Sequence, residues 1–536
     1  MSEMVLLGDE AVAMGAIHAG LTAAYAYPGT PSTEIMEFLI RYAQKNKKPL
    51  AQWCANEKTA YEDALGVSFT GKRALVSMKH VGLNVAADPF MNSAIVNIHG
   101  GLVVVVADDP GMHSSQNEQD SRYFADFARI VCLEPTNQQQ AYEMTKEAFD
   151  ISERYHIPVM IRLVTRLAHS RAVVHVDDVQ RQENPLQKVP NPNSWILLPS
   201  NAKKQWHELL EIQKELLRYS QESPHNTLEL NADFTDYGVV TTGLGLNYYL
   251  ENLPELKHRP SHLHISAYPI PVEKLRTLAK QVKKLIILEE GYPFVERFIR
   301  GILPLPIEIQ GKLSGHVPVE GELTPDNIRP ALGLKKRERK GVVHFNLPNR
   351  PPQLCPGCPH ADTFASLKKA MAEFQKTMVT SDIGCYTLGA LPPYNAIEST
   401  VNMGASVGMA KGAADAGFYP VVAVIGDSTF LHSGVTPLMD AVAHNTNMTL
   451  IILDNETVGM TGGQPTVLPD SRLKNVVLGL GVEPAHVHVV TTHRKYIDQN
   501  AQIILDEVKY NGLSVIIAVR ECVETAKRHK KEQKKA

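Results

Sequence analysis

Two short apolar runs, at 421–425 and 450–453, stop at residues that could do chemistry: the first at Gly426-Asp427-Ser428, the second at Asp454-Asn455. Runs of this kind read as buried parallel strands. Asp427 and Asn455 are 28 positions apart, the length of one strand–helix–strand unit. That spacing puts a carboxylate and an amide oxygen at the carboxyl ends of adjacent strands, where open α/β sheets bind ligands. Oxygen donors of this type suit a hard cation such as Mg²⁺, which keeps phosphate oxygens in its shell. The chemistry expected is a diphosphate held through Mg²⁺, although plain turns at strand ends use the same residues. Beyond the second run, Thr461-Gly462-Gly463-Gln464 forms a turn with backbone N–H groups available to a phosphate.

Four of the six cysteines fall in the same region, at Cys355, Cys358, Cys385 and Cys522. A C-x-x-C pair with two distant cysteines suits Zn²⁺, an iron–sulfur cluster or a redox disulfide, and spacing does not choose among them. Cys54 and Cys132 stand alone and are expected to be packing residues.

Candidates also occur near the start. Tyr27-Pro28-Gly29-Thr30-Pro31-Ser32-Thr33-Glu34 is a tight loop in which Ser32 or Thr33 is placed to cap the next helix. Glu57 opens a small-residue helix, where a carboxylate is favoured in any case. Met78-Lys79-His80-Val81-Gly82-Leu83-Asn84 follows a strand and fits a polar pocket, or a solvated loop. A polar stretch from His113 to Arg122 is either an exposed loop or a functional one.

These residues need parallel sheets to position them. Strands are expected at 74–78, 102–107 and 158–163, with helices at 57–67 and 138–155 between them. A proline-interrupted connector at 186–232 carries an amphipathic helix, capped by Ser200, with Trp206, Leu209, Leu210, Leu216 and Leu217 on its apolar side. A second α/β domain spans 233–335, with strands at 238–241, 263–266 and 284–288. A charged linker, Lys335 to Lys340, closes it. A third domain spans 346–525 and holds the metal-type strands, and a basic tail, 526–536, is expected to be solvated. The 536 residues accommodate about three domains. A net charge of −3 gives no basic surface for nucleic acid. No apolar run is long enough for a membrane span and no signal pattern opens the chain, so a cytoplasmic location is expected.

Taken together, the motifs resemble those of the large, thiamine-diphosphate-binding subunits of indolepyruvate ferredoxin oxidoreductases, within the 2-oxoacid:ferredoxin oxidoreductase family. The carriers are residues 27–33, 78–89, 108–122, Cys355-Pro356-Gly357-Cys358-Pro359-His360, and 382–390. The resemblance runs from about residue 5 to 525. It implies three doubly wound α/β domains: a thiamine pyrimidine-binding type at 1–185, a transketolase C-terminal-like one at 233–335, and a diphosphate- and Mg²⁺-binding one at 346–525. It implies that Glu57 bonds the aminopyrimidine ring of thiamine and promotes its reactive tautomer. Asp427, Asn455 and the Thr457 carbonyl are implied as Mg²⁺ ligands. Gly426, Ser428 and the turn from Thr461 to Gln464 are implied around the diphosphate. Thr30, Arg122 and His80 are implied to orient the substrate acid. Cysteines at the places of Cys355, Cys358, Cys385 and Cys522 hold a [4Fe-4S] cluster in such enzymes, which favours iron–sulfur over Zn²⁺ here.

The activity implied is oxidative decarboxylation of an aryl 2-oxoacid, with electrons leaving through the cluster and coenzyme A taking the acyl group. Implied partners are a smaller β-type subunit, in a dimer of α–β pairs, and ferredoxin or another acceptor. The first and third domains would then have to meet around one thiamine, within one chain or between two. Members of this type usually carry a C-terminal ferredoxin domain, for which the residues after Cys522 leave no room. Electrons are therefore expected to leave through another subunit or a soluble carrier. Two alternatives stand beside this reading: a non-oxidative thiamine decarboxylase or carboligase, and a non-catalytic scaffold subunit.

Overall fold

The computed structural model describes residues 2–187, 192–303, 307–337, 352–468 and 472–533. The chain divides into two compact units, Met1–Val343 and His344–Ala536.

The first unit is built on a seven-stranded sheet in the order Ala267–Tyr268, Cys132–Leu133, Val159–Val164, Leu102–Asp108, Ala74–Lys79, Ala23–Ala26, Leu50–Trp53. All neighbours are parallel except Ala267–Tyr268, which runs antiparallel to Cys132–Leu133. The central strand Leu102–Asp108 is buried along its whole length, which explains its unbroken Val run. A second, five-stranded sheet has Lys284–Leu288, Gly238–Thr242 and Ser261–Ile265 as its parallel centre. The first two expected domains thus share one unit, and a strand from 233–335 extends the first sheet.

The second unit is a six-stranded, all-parallel sheet in the order Ser399–Thr400, Met378–Ser381, Val421–Gly426, Met448–Asp454, Leu513–Val519, Val487–Thr491. Numbered from their own first parallel strands, the large sheets of both units read 2-1-3-4-6-5. In such an order the chain reverses direction across the sheet between strands 1 and 3, which opens a crevice at their carboxyl ends. In the first unit that crevice lies between the loops after Ala23–Ala26 and Ala74–Lys79. In the second it lies between the loops after Met378–Ser381 and Val421–Gly426. The architecture is the expected one: parallel α/β sheets, two of them of one topology.

Local expectations differ in three places. Neither Ser32 nor Thr33 caps the helix Thr33–Asn46: the Ser32 hydroxyl donates to Gly29 O at 2.8 Å and Thr33 Oγ1 accepts the Gly29 N–H at 3.0 Å, closing the loop on itself. The connector helix runs Pro199–Glu222 with Pro199, not Ser200, at its start; it buries Leu209 and Leu216 but leaves Trp206, Leu210 and Leu217 exposed. The tail forms a helix, Val523–Gln533, rather than a loose end. Residues Glu338 to Lys340 of the linker, and Lys535, lie outside the described residues. No described helix is long and apolar enough to cross a membrane.

Candidate functional site

In the first unit the crevice loops gather most of the predicted residues. Glu57 is the first residue of the helix Glu57–Phe69, whose cap is the Asn56 side chain accepting the Thr59 N–H at 2.8 Å. The Glu57 side chain is only 4% exposed. Gly82 lies against it so closely that a Cβ there would stand 2.5 Å from Glu57 Oε1. Thr30 is half-buried, and its carbonyl accepts the Ser114 hydroxyl at 3.3 Å. His80 is buried, with Nε2 facing the Asn117 carbonyl at 3.1 Å and its amide oxygen at 3.2 Å. Nε2 therefore carries a proton, and Nδ1 has no hydrogen-bond partner among the described residues.

Lys79, in the run expected to fit a polar pocket, has no role assigned from the sequence. Its stem crosses the 27–33 loop, 3.2 Å from where a Gly29 Cβ would be, and its Nζ donates to Ser114 O at 2.9 Å. Burial pushes its ammonium down to about 8, against the opposing pull of Asp109 and Glu57. Asp109 stays ionised despite burial because Ser115 Oγ, the Ser114 N–H and Thr165 Oγ1 all donate to it, at 2.7, 2.8 and 2.7 Å. The signal was available in the Met-Lys-His-Val-Gly run, where a cation directly ends a buried strand.

Arg122 requires a correction. The sequence reading directs it to a substrate carboxylate, but its side chain is 1% exposed and every N–H is used within the protein. Nε and Nη2 donate to Asp120, Nη1 to Thr242 Oγ1 and Tyr268 OH, and Nη2 also to the Glu290 carbonyl. Arg162, paired with Asp108 and Glu134, sits beside it. The two arginines tie the first sheet to the second sheet of the unit.

In the second unit the predicted metal residues converge. Asp427 and Asn455 end neighbouring strands whose register pairs Gly426 with Leu453. Asp427 is buried, and its Oδ2 has no hydrogen-bond partner among the described residues. Burial and the neighbouring Asp454 carboxylate push its carboxyl well above the usual range. Two acids buried this close together match the demand of a divalent cation. Ser428 Oγ is likewise unpartnered among the described residues. Gly426 is required because the Tyr386 ring sits 2.6 Å from where its Cβ would be. The helix after Asp427 opens into a π turn, Phe430–Gly434, a distortion common near functional sites.

Asn455 is oriented by its neighbours. Burial pushes His360 down to about 4, so its ring is neutral at neutral pH, and Nε2 lies 3.1 Å from Asn455 Nδ2. The amide NH₂ therefore faces His360, and Oδ1 accepts the Thr457 N–H at 3.2 Å. The turn at 461–464 is tighter than expected. The Gly463 N–H is taken by Val458 O at 3.0 Å, the Thr461 hydroxyl donates to Gln464 Oε1 at 2.6 Å, and Gln464 Nε2 donates to the Thr461 carbonyl at 2.9 Å. Gly462 and Gly463 have φ of 123° and 82°, which only glycine adopts readily. Arg528 of the tail helix donates to the Gly462 and Gly463 carbonyls at 3.2 and 2.7 Å, so the tail braces this turn.

The four cysteines surround the same edge. Cys385 Sγ lies 3.2 Å from where a Gly459 Cβ would be. The Cys522 N–H donates to Asn455 O at 3.3 Å. Arg520 donates to Gly357 O and Asp362 at 2.7 Å each, tying the C-x-x-C loop to the strand end before Cys522. Burial pushes the Cys385 thiol up to about 12, with further contributions from Cys358, Cys522 and Cys355.

Residues 14–229 match the family "Pyruvate flavodoxin/ferredoxin oxidoreductase, thiamine diP-bdg", and residues 382–516 match "Thiamine pyrophosphate enzyme, C-terminal TPP binding domain". The chain is 38% identical to indolepyruvate oxidoreductase subunit IorA of Archaeoglobus fulgidus, over 97% of this chain and 86% of that protein. It is 35% identical to the same subunit of Pyrococcus abyssi, over 97% and 85%. Among solved structures, a 2-oxoglutarate:ferredoxin oxidoreductase of Magnetococcus marinus shares the fold, with a TM-score of 0.51 at 18% identity, over 60% of this chain and 63% of that one.

Proposed function

The chain belongs to the family of indolepyruvate oxidoreductase IorA subunits, thiamine-diphosphate-dependent 2-oxoacid oxidoreductases, and from this we propose that it oxidatively decarboxylates an aryl 2-oxoacid to its acyl-CoA. The single observation that carries the proposal is the placement of Asn455. Its amide bonds His360 of the C-x-x-C-P-H motif, its backbone carbonyl accepts the N–H of Cys522, and Asp427 ends the neighbouring strand. One residue thereby links the metal carboxylates to the cysteines.

Asp427 and Asn455, with the Thr457 carbonyl, would hold Mg²⁺, and Ser428 and the turn at 461–464 would meet the diphosphate it carries. Glu57, buried against Gly82, is positioned to hold a proton at a ring nitrogen. Thiamine diphosphate, when bound, supplies the carbanion-stabilising chemistry of decarboxylation. Lys79, rather than Arg122, meets the substrate carboxylate, with the Thr30 loop and His80 orienting the acid. Cys355, Cys358, Cys385 and Cys522 would hold a [4Fe-4S] cluster, as cysteines at these places do in related enzymes. A smaller β-type subunit, coenzyme A, and ferredoxin or another acceptor complete the reaction, in a dimer of α–β pairs.

Iron and acid-labile sulfide analysis of anaerobically purified protein tests the reading. About four of each per chain is the expected result. Zn²⁺ with neither iron nor sulfide would overturn the oxidative chemistry.

A further inference from the structure

Three side chains far apart in sequence, none of them given a role above, meet in the first unit: Asp9, Glu34 and His169. Asp9 opens the helix Gly8–His18, Glu34 lies in the first turn of the helix Thr33–Asn46, and His169 ends the helix Thr165–His169. One ligand atom from each lies within 4.8 Å of the others, and His169 Nε2 is 3.3 Å from Glu34 Oε2. The backbone is built for this approach: a Cβ at Gly8 would stand 2.2 Å from Leu167 O, so only glycine lets the first helix start so close to the third.

Asp9 makes the cluster more than a surface group of acids. It is 0% exposed, and neither carboxyl oxygen has a hydrogen-bond partner among the described residues. A buried carboxyl left in this way costs stability unless something pairs with it. The nearby charges do not: Glu10 is another acid, accepting the Leu7 N–H at 3.0 Å, and Arg41 lies 3.7 Å from Glu10. Glu34 and His169 are about a third exposed, at 33% and 34%, so the cluster has a path to solvent.

We propose that Asp9, Glu34 and His169 form a binding site for a first-row divalent transition metal, with its remaining positions open to water. Two carboxylates and an imidazole are borderline N/O donors, which select such ions over Ca²⁺ or Mg²⁺. A modest closure of the exposed Glu34 and His169 side chains brings all three atoms to bonding distance. The ion would fasten the helix after the Thr30 loop to the helix after the strand Val159–Val164. It is independent of the thiamine reading.

Co²⁺ is the probe, because oxygen and nitrogen ligands give weak visible bands whereas thiolates add intense near-ultraviolet absorption. The full chain is used without thiamine, in an Asp427→Asn background that silences the Mg²⁺ site. The expected result is one Co²⁺ per chain without thiolate absorption, bound at least tenfold more weakly after either His169→Ala or Glu34→Gln. Both substitutions are at partly exposed side chains, so they stay informative if Asp9→Asn fails to fold. Absence of thiolate-free Co²⁺ binding, or unchanged affinity in either variant, would overturn the proposal.

Discussion

Replacing Lys79 by methionine tests the assignment of the substrate's carboxylate. Among the described residues the ammonium has one hydrogen-bond acceptor, Ser114 O, which leaves donors for a ligand. A hydrogen bond to a charged group contributes ~1.5–3 kcal/mol, which is ~10- to 150-fold in affinity. KM for the 2-oxoacid should rise by that factor in Lys79→Met, with a smaller change in kcat. The pH profile gives a second readout. Burial brings the wild-type ammonium down to about 8, so the cation that pairs with the substrate is present below that pH and lost above it. The wild-type kcat/KM should fall with rising pH from about 8, and the Met variant should lack that step.

Stability moves the opposite way, which separates binding from a structural role. The folded value of Lys79 lies below the unfolded one, so between them the unfolded chain binds the extra proton. Stability from this group therefore rises with pH from about 8 to the ordinary lysine range, and the buried charge is a penalty below it. Lys79→Met removes that penalty and should unfold at an equal or higher temperature at pH 7. An unchanged KM, or a step near pH 8 that persists in the variant, would refute the reasoning.

Other expectations follow from single contacts. Gly82→Ala places a methyl against Glu57 Oε1, and a carboxylate displaced by ~1 Å should lower kcat ~100-fold while thiamine diphosphate still binds by calorimetry. Glu57→Gln should bind the cofactor within a few-fold of wild type and lose most turnover; normal activity would mean that Glu57 is misassigned. Arg122→Met removes the main charge partner of buried Asp120, leaving it Arg162 at 3.6 Å and the N–H groups of Tyr292 and residue 122, and should cost ~3 kcal/mol in denaturant unfolding, an effect that a pure substrate ligand would not produce. Asp427→Asn should abolish Mg²⁺-dependent binding of thiamine diphosphate in the same calorimetric assay.

The parts of the fold that were legible in the sequence are those set by local chemistry. Apolar runs located the strands Val421–Gly426 and Ala74–Lys79 to within a residue, and the helix Gln138–Tyr155 appears where the sequence placed it. The Asp427–Asn455 pair was legible because a parallel strand–helix–strand unit fixes both ends at one sheet edge. Strand order was not, because it depends on which distant runs pair. The short strand Ala267–Tyr268 joins the first sheet through two residues that carry no periodicity.

Arg122 and Lys79 show why site residues are harder to read than strands. An arginine in a polar stretch and a lysine at a strand end look equally available in one dimension. What distinguishes them is the count of acceptors that folding brings to each. Arg122 meets Asp120, Thr242, Tyr268 and the Glu290 carbonyl, which exhaust its donors. Lys79 meets one carbonyl and loses much of its water to the loop at 27–33. A charge that is desolvated without being satisfied is the one poised to bind, and the same reasoning selects Asp427 in the second unit and Asp9 in the first. Each is a buried carboxyl group with at least one oxygen unpartnered among the described residues, a property that arises only when segments distant in sequence close around it.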